Sequence, residues 1–126
     1  MIWTLIGDMT LRTGANGEET LQAFDVQDFG LLVDQVVFAL EITERSSEQL
    51  RVRVHQDHAA SADSAAFITT APDPIPLTAL NGDVPVTLLG TATLSTPSLR
   101  TSVGVSSAEP GEGSVTFKLY VGGRLR

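Results

Sequence analysis

The sequence predicts an all-β chain folded as an antiparallel two-sheet β-sandwich, of jelly-roll or immunoglobulin-like type, with about 8–10 short strands. Three observations carry this reading. Apolar and other residues alternate at period two through residues 36–45, 50–57, 99–105 and 115–121, the mark of strands with one buried face. Clusters of turn formers, GANGEE, LNGD, APDPIP and SAEPGEG, lie between such runs. A hydrophobic content of 42% over 126 residues is enough for one core.

Taken in order, the first strand candidates are 2–6 (IWTLI), 9–13 (MTLRT) and 20–26 (TLQAFDV). Residues 25–35, DVQDFGLLVDQ, suit a short helical turn interrupted at Gly30. In 36–45, Val36, Phe38, Leu40 and Ile42 share one face; in 49–57, Leu50, Val52 and Val54 do. A hairpin closed by SSE would set Ile42 opposite Val52, Leu40 opposite Val54 and Glu41 opposite Arg53, matching both apolar and charge registers. Residues 57–66, DHAASADSAA, read as a loop with one turn, followed by weaker strand candidates at 65–70, 75–80 and 84–89. A second hairpin is expected at the end, with Val105 opposite Val115, Val103 opposite Phe117, Leu99 opposite Val121 and Arg100 stacked on Tyr120. The whole of 1–126 is expected to be a single domain with a flexible tail, 122–126, released by Gly122 and Gly123.

Composition excludes several classes of function. With no cysteine there is no disulfide, thiolate nucleophile or cysteine-ligated metal. A formal net charge of −7 opposes a phosphate-binding groove, so nucleic acid is not an expected partner. No apolar run is long enough to span a membrane as a helix. MIWTLIGDMT lacks the basic start and long apolar run of a signal peptide.

Candidate chemistry is sparse. In QLRVRVHQDH, alternation places His55 and Asp57 on one outward face, with His58 following at the strand end. These three are the candidate metal ligands, but a site needs three or four donors, and Arg51 and Arg53 on the same face disfavour a cation. The bland reading, a solvated strand end, fits the pattern better. No serine stands in a G-x-S-x-G elbow, and no paired carboxylates face a cleft that the sequence defines, so no enzymatic activity and no cofactor are expected. Asp8, Asp25, Asp28, Asp57, Asp63, Asp73 and Asp83 would suit a calcium site, yet no D-x-D-x-D-G loop is present. A glycan platform would need exposed aromatics, for which Trp3 and Tyr120 are the candidates; Phe38, Phe67 and Phe117 read as core. The terminal Arg124, Leu125 and Arg126 form a basic, apolar tail on an acidic body and are the candidate interface.

The pieces LRVRVHQDH…FITT, within 50–70, and LRTSVGVSSAEPGEGSVTFKLYVGG, 99–123, resemble small all-β structural proteins of tailed-phage particles. The resemblance implies a capsid decoration, or cement, protein located in the virion and made in the host cytoplasm. It would act through contacts with itself, as a trimer or pentamer, and with a major capsid protein. The alternatives are a neck or tail component, or a carbohydrate- or calcium-binding module.

Overall fold

Alternation becomes strand along the chain. The computed structural model describes residues 3–29, 33–59, 68–69, 75–80, 82–93 and 98–125. Among them lie β1 (Trp3–Arg12), β2 (Thr20–Ala23), β3 (Gln27–Asp28), β4 (Val33–Arg45), β5 (Leu50–Ala59), β6 (Ile68–Thr69), β7 (Ile75–Ala79), β8 (Val86–Thr93), β9 (Ser98–Ser107) and β10 (Ser114–Leu125), and no helix. The candidates 2–6 and 9–13 merge into β1; of the helical turn expected in 25–35, the described residues hold β3 and the start of β4, and 30–32 lie outside them. Most of the 57–66 loop, Phe67, Asp63, Asp73 and Arg126 lie outside the described residues.

Two antiparallel sheets form, one ordered β1-β10-β4-β8, the other β2-β9-β5-β6 with β3 beside β9 and β7 beside β5. β2 and β3 are successive pieces of one edge along β9, and β6 and β7 of the other edge along β5. Counted that way, the first strand pairs with the last, the second with the seventh, the third with the sixth and the fourth with the fifth. A ribbon rolled in this manner is a jelly roll.

Both expected hairpins are therefore corrected. Ile42 lies opposite Phe117 and Val86, while Val52 lies opposite Val105 and Thr78. β4 and β5 sit in different sheets, as do β9 and β10, and face each other across the core. Alternation specifies which face of a strand is buried and leaves the neighbour open, because a hairpin and a chain crossing between sheets bury the same residues. The pairs built on those hairpins change accordingly. Glu41 is opposite Lys118, Arg53 pairs with Glu19, and Arg100 pairs with Asp57 rather than stacking on Tyr120.

The core faces are those the alternation assigns. Phe38, Leu40, Ile42, Phe117 and Leu119 from one sheet meet Leu50, Val52, Val54, Leu99, Val103 and Val105 from the other, all fully buried. Phe24 leaves the β2 edge, its amide donating to the Thr101 carbonyl at 3.0 Å, and its ring meets Phe117 edge-on at 6.1 Å and 89°.

Crossings between the sheets, among them 13–19, 46–49 and 108–113, gather at one end of the sandwich. Thr13 and Gly113 exchange two hydrogen bonds of 2.9 Å, and the Ser107 amide donates to the Gly17 carbonyl at 3.0 Å. Gly17, in the Asn-Gly step of GANGEE, has φ +82°, and a Cβ there would lie 2.7 Å from the Ser107 carbonyl oxygen and 2.8 Å from that of Glu109. Gly17→Ala is expected to cost roughly 1–2 kcal/mol for the left-handed backbone alone, before the two backbone clashes are counted. Urea unfolding checks this; an unchanged midpoint would contradict the packing of the crossings.

The segment expected to be a tail, 122–126, is described as far as Leu125. β10 continues to Leu125, with Gly122 opposite Val37 and Gly123 opposite Val36, so the glycines are paired strand residues rather than a hinge. Val33 and Phe29 pack close to Gly123, where a Cβ would meet them at 3.1–3.2 Å.

Candidate functional surfaces

The outer face of the six-stranded sheet holds the first candidate. Register sets Asp57 opposite Arg100 and His55 opposite Ser102 across β5 and β9. With Leu21 and Ala23 from β2, these residues line an open groove of about 370 Å³. Arg100 Nη2 donates to Asp57 Oδ2 at 2.8 Å, the two side chains being 35% and 13% accessible. Just beyond, Glu19 crosses over Gly104 to reach Arg53 with a two-pronged ion pair. Gly104 permits the crossing, since a Cβ there would meet Leu21 Cδ2 at 2.8 Å and Glu19 Oε2 at 2.9 Å.

Of the candidate metal ligands, His55 and Asp57 do share this face. His58 does not: it continues the inward parity of Val54 and Gln56, lies opposite Leu99 and is buried. A guanidinium already faces the Asp57 carboxylate, and no group of three or more His, Asp or Glu side chains suited to a metal occurs among the described residues. Of the aspartates considered for calcium, Asp8, Asp28 and Asp57 are strand residues.

Burial pushes the His58 imidazole below its usual value of 6.5, against an upward pull from Asp57. Its Nδ1 is buried without a hydrogen-bond partner among the described residues. Between the folded and unfolded values the unfolded chain binds more protons at this site, so folding weakens as pH falls. His58 costs no stability above about pH 6.5, and its penalty grows from there down to the folded value. Urea midpoints measured between pH 7.5 and 5 for the wild type and His58→Leu check this. The wild type is expected to lose stability on acidification relative to the variant; parallel curves would contradict it.

The second candidate is the outer face of the four-stranded sheet. Register lines up Leu5, Tyr120, Ala39 and Leu89 as one row across β1, β10, β4 and β8. The next row is Trp3, Gly122, Val37 and Thr91. Leu89 is 69% exposed, Leu5 47% and Trp3 43%, so the rows form an apolar belt whose ends stand in solvent and whose centre, Tyr120, Ala39 and Val37, is half-buried. Charge borders it on both sides: Asp8, Lys118 and Glu41 form one flanking row, and Arg124 with Gln35, joined at 3.1 Å, the other. The expected interface residue Arg124 thus stands at the rim of this belt, on a paired strand. Trp3 and Tyr120, the two aromatics singled out by the sequence, both belong to the belt.

No family model matches the chain, and no curated protein matches it in sequence. Solved structures do match in fold. A chain of Triatoma virus superimposes with a TM-score of 0.54 at 9% identity, covering 98% of this chain and 63% of that one. The VP2 subviral particle of infectious bursal disease virus gives 0.57 at 11%, covering 95% and 31%. The C-terminal domain of the sugar-binding protein EclA gives 0.50 at 16%, covering 90% and 78%. This chain therefore spans less than two thirds of either viral chain, and at such identities the likeness is one of fold.

Proposed function

We propose that this chain is a non-enzymatic structural protein of a virus particle, working through protein–protein contacts, and specifically a capsid decoration or cement protein of a tailed phage. The observation that carries the reading is the apolar belt of Trp3, Leu5, Val37, Tyr120 and Leu89 on the outer face of the four-stranded sheet. Large apolar side chains aligned on one exposed face mark a contact surface. The jelly roll shared with two viral capsid chains supports the reading as an analogy of fold. Its partners would be other copies of itself and the major shell protein, and its place the virion. The test is the copy number of this polypeptide relative to the main shell protein in gradient-purified particles, measured by mass spectrometry. A ratio near one, or a simple fraction of it, is expected. A few copies per particle would assign it to the neck or tail, and its absence would remove the reading.

A second reading, a sugar-binding module, draws on the groove and on the EclA fold likeness. Asp57, Arg100, His55 and Ser102 offer hydrogen-bond donors and acceptors beside apolar Leu21. Glycan binding lost on His55→Ala would favour it over the particle reading.

A further inference from the structure

We propose that the outer face of the four-stranded sheet is a self-complementary interface, on which a second copy of this chain packs face to face about a two-fold axis. The axis runs parallel to the strands, between β10 and β4. This deepens the contact reading by naming one partner for the same belt.

The argument rests on the register of the two central strands. On the outer face β10 presents Lys118, Tyr120, Gly122 and Arg124, directly beside Glu41, Ala39, Val37 and Gln35 of β4. A two-fold axis between them lays β10 of one copy over β4 of the other, so each residue meets the one now at its side. Lys118 then faces the partner's Glu41, and Glu41 the partner's Lys118. Tyr120 covers the partner's Ala39, a large side chain over a small one. Val37 lies over the partner's Gly122, and Arg124 meets the partner's Gln35. On the flanks β1 overlies β8, which brings Leu5 against the partner's Leu89. Packed sheets lie about 10 Å apart with strands rotated by roughly 30°, so the match is tightest at the central strands and drifts toward the edges.

The other face-to-face two-fold, perpendicular to the strands and centred on the belt, superposes β10 on β10. It would set Lys118 against the partner's Arg124, a like-charge contact that opposes that arrangement. Electrostatics thus selects the axis and the apolar rows supply the area. A second copy is the occupant for which size and charge both fit without further assumption.

Lys118 is the sole lysine of the chain, which gives a specific probe. Protein labelled with ¹⁵N is mixed with unlabelled protein and treated with a zero-length carbodiimide. A mixed-isotope Lys118–Glu41 cross-linked peptide is expected, in a covalent species of twice the 13.4 kDa chain mass. Sedimentation of the untreated protein is expected to show a monomer–dimer equilibrium. Leu89→Glu, at an exposed position, and Lys118→Glu are each expected to weaken it at least tenfold. The swapped double variant Lys118→Glu/Glu41→Lys should restore it. Far-UV circular dichroism confirms that each variant is folded.

A wild-type monomer throughout the micromolar range would overturn the proposal. So would a trimer or pentamer, a dimer indifferent to Leu89→Glu, or a double variant no better than Lys118→Glu. A monomer abundant in particles would remove the two-fold interface and leave the particle reading standing; a dimer absent from particles would do the reverse.

Discussion

Phe117→Ala is expected to destabilise the protein by about 3–5 kcal/mol, the range for deleting a buried aromatic ring from a packed core. Phe117 is fully buried, stands between Met9 and Ile42 on the neighbouring strands, and carries the edge-on contact with Phe24. It joins the four-stranded sheet to the edge of the other, because Phe24 follows β2. The cavity left by alanine opens where both sheets lean on one ring. Denaturant unfolding with an unchanged slope checks the loss. A cost below about 1 kcal/mol would mean that Phe117 does not sit in a tightly packed junction.

The second large effect is expected at the groove. Asp57→Ala removes the carboxylate from Arg100, whose side chain is 35% accessible. Breaking a fully buried pair costs about 3–5 kcal/mol; with Arg100 partly wet, about 2–3 kcal/mol is expected. Much of that is the cost of a partly shielded charge that has lost the Asp57 carboxylate. Asp57→Ala/Arg100→Met should therefore cost less than Asp57→Ala alone. Additive losses in this double-mutant cycle would show that the ion pair is incidental to stability.

Much of this molecule is legible in the sequence, and the rest is hidden for a definite reason. Val36, Phe38, Leu40 and Ile42, with Leu50, Val52 and Val54, are read as core from their spacing and are core. Extending the same parity by two steps from Val54 reaches Gln56 and then His58, which makes the burial of His58 readable too. Strand partners are not readable in this way. Residues 46–49 and 108–113 look like hairpin loops and are crossings between sheets, a distinction that alternation does not carry. The Asp57–Arg100 pair depends on β5 lying beside β9, residues far apart in the chain. The apolar belt depends on four strands arriving in register; singly, Leu5, Tyr120, Ala39 and Leu89 are ordinary outward residues. Gly122 and Gly123 suggest a hinge only until β4 is found paired beside them.

The belt's role in particle assembly can be measured by competition. Equal amounts of wild type and Leu89→Glu are offered to particles stripped of this polypeptide, and the bound ratio is read by mass spectrometry. Leu89 lies in the open on the outer face, so the variant is expected to fold normally and to bind at least tenfold less than the wild type. Equal incorporation of the two would contradict a contact role for the outer face of the four-stranded sheet.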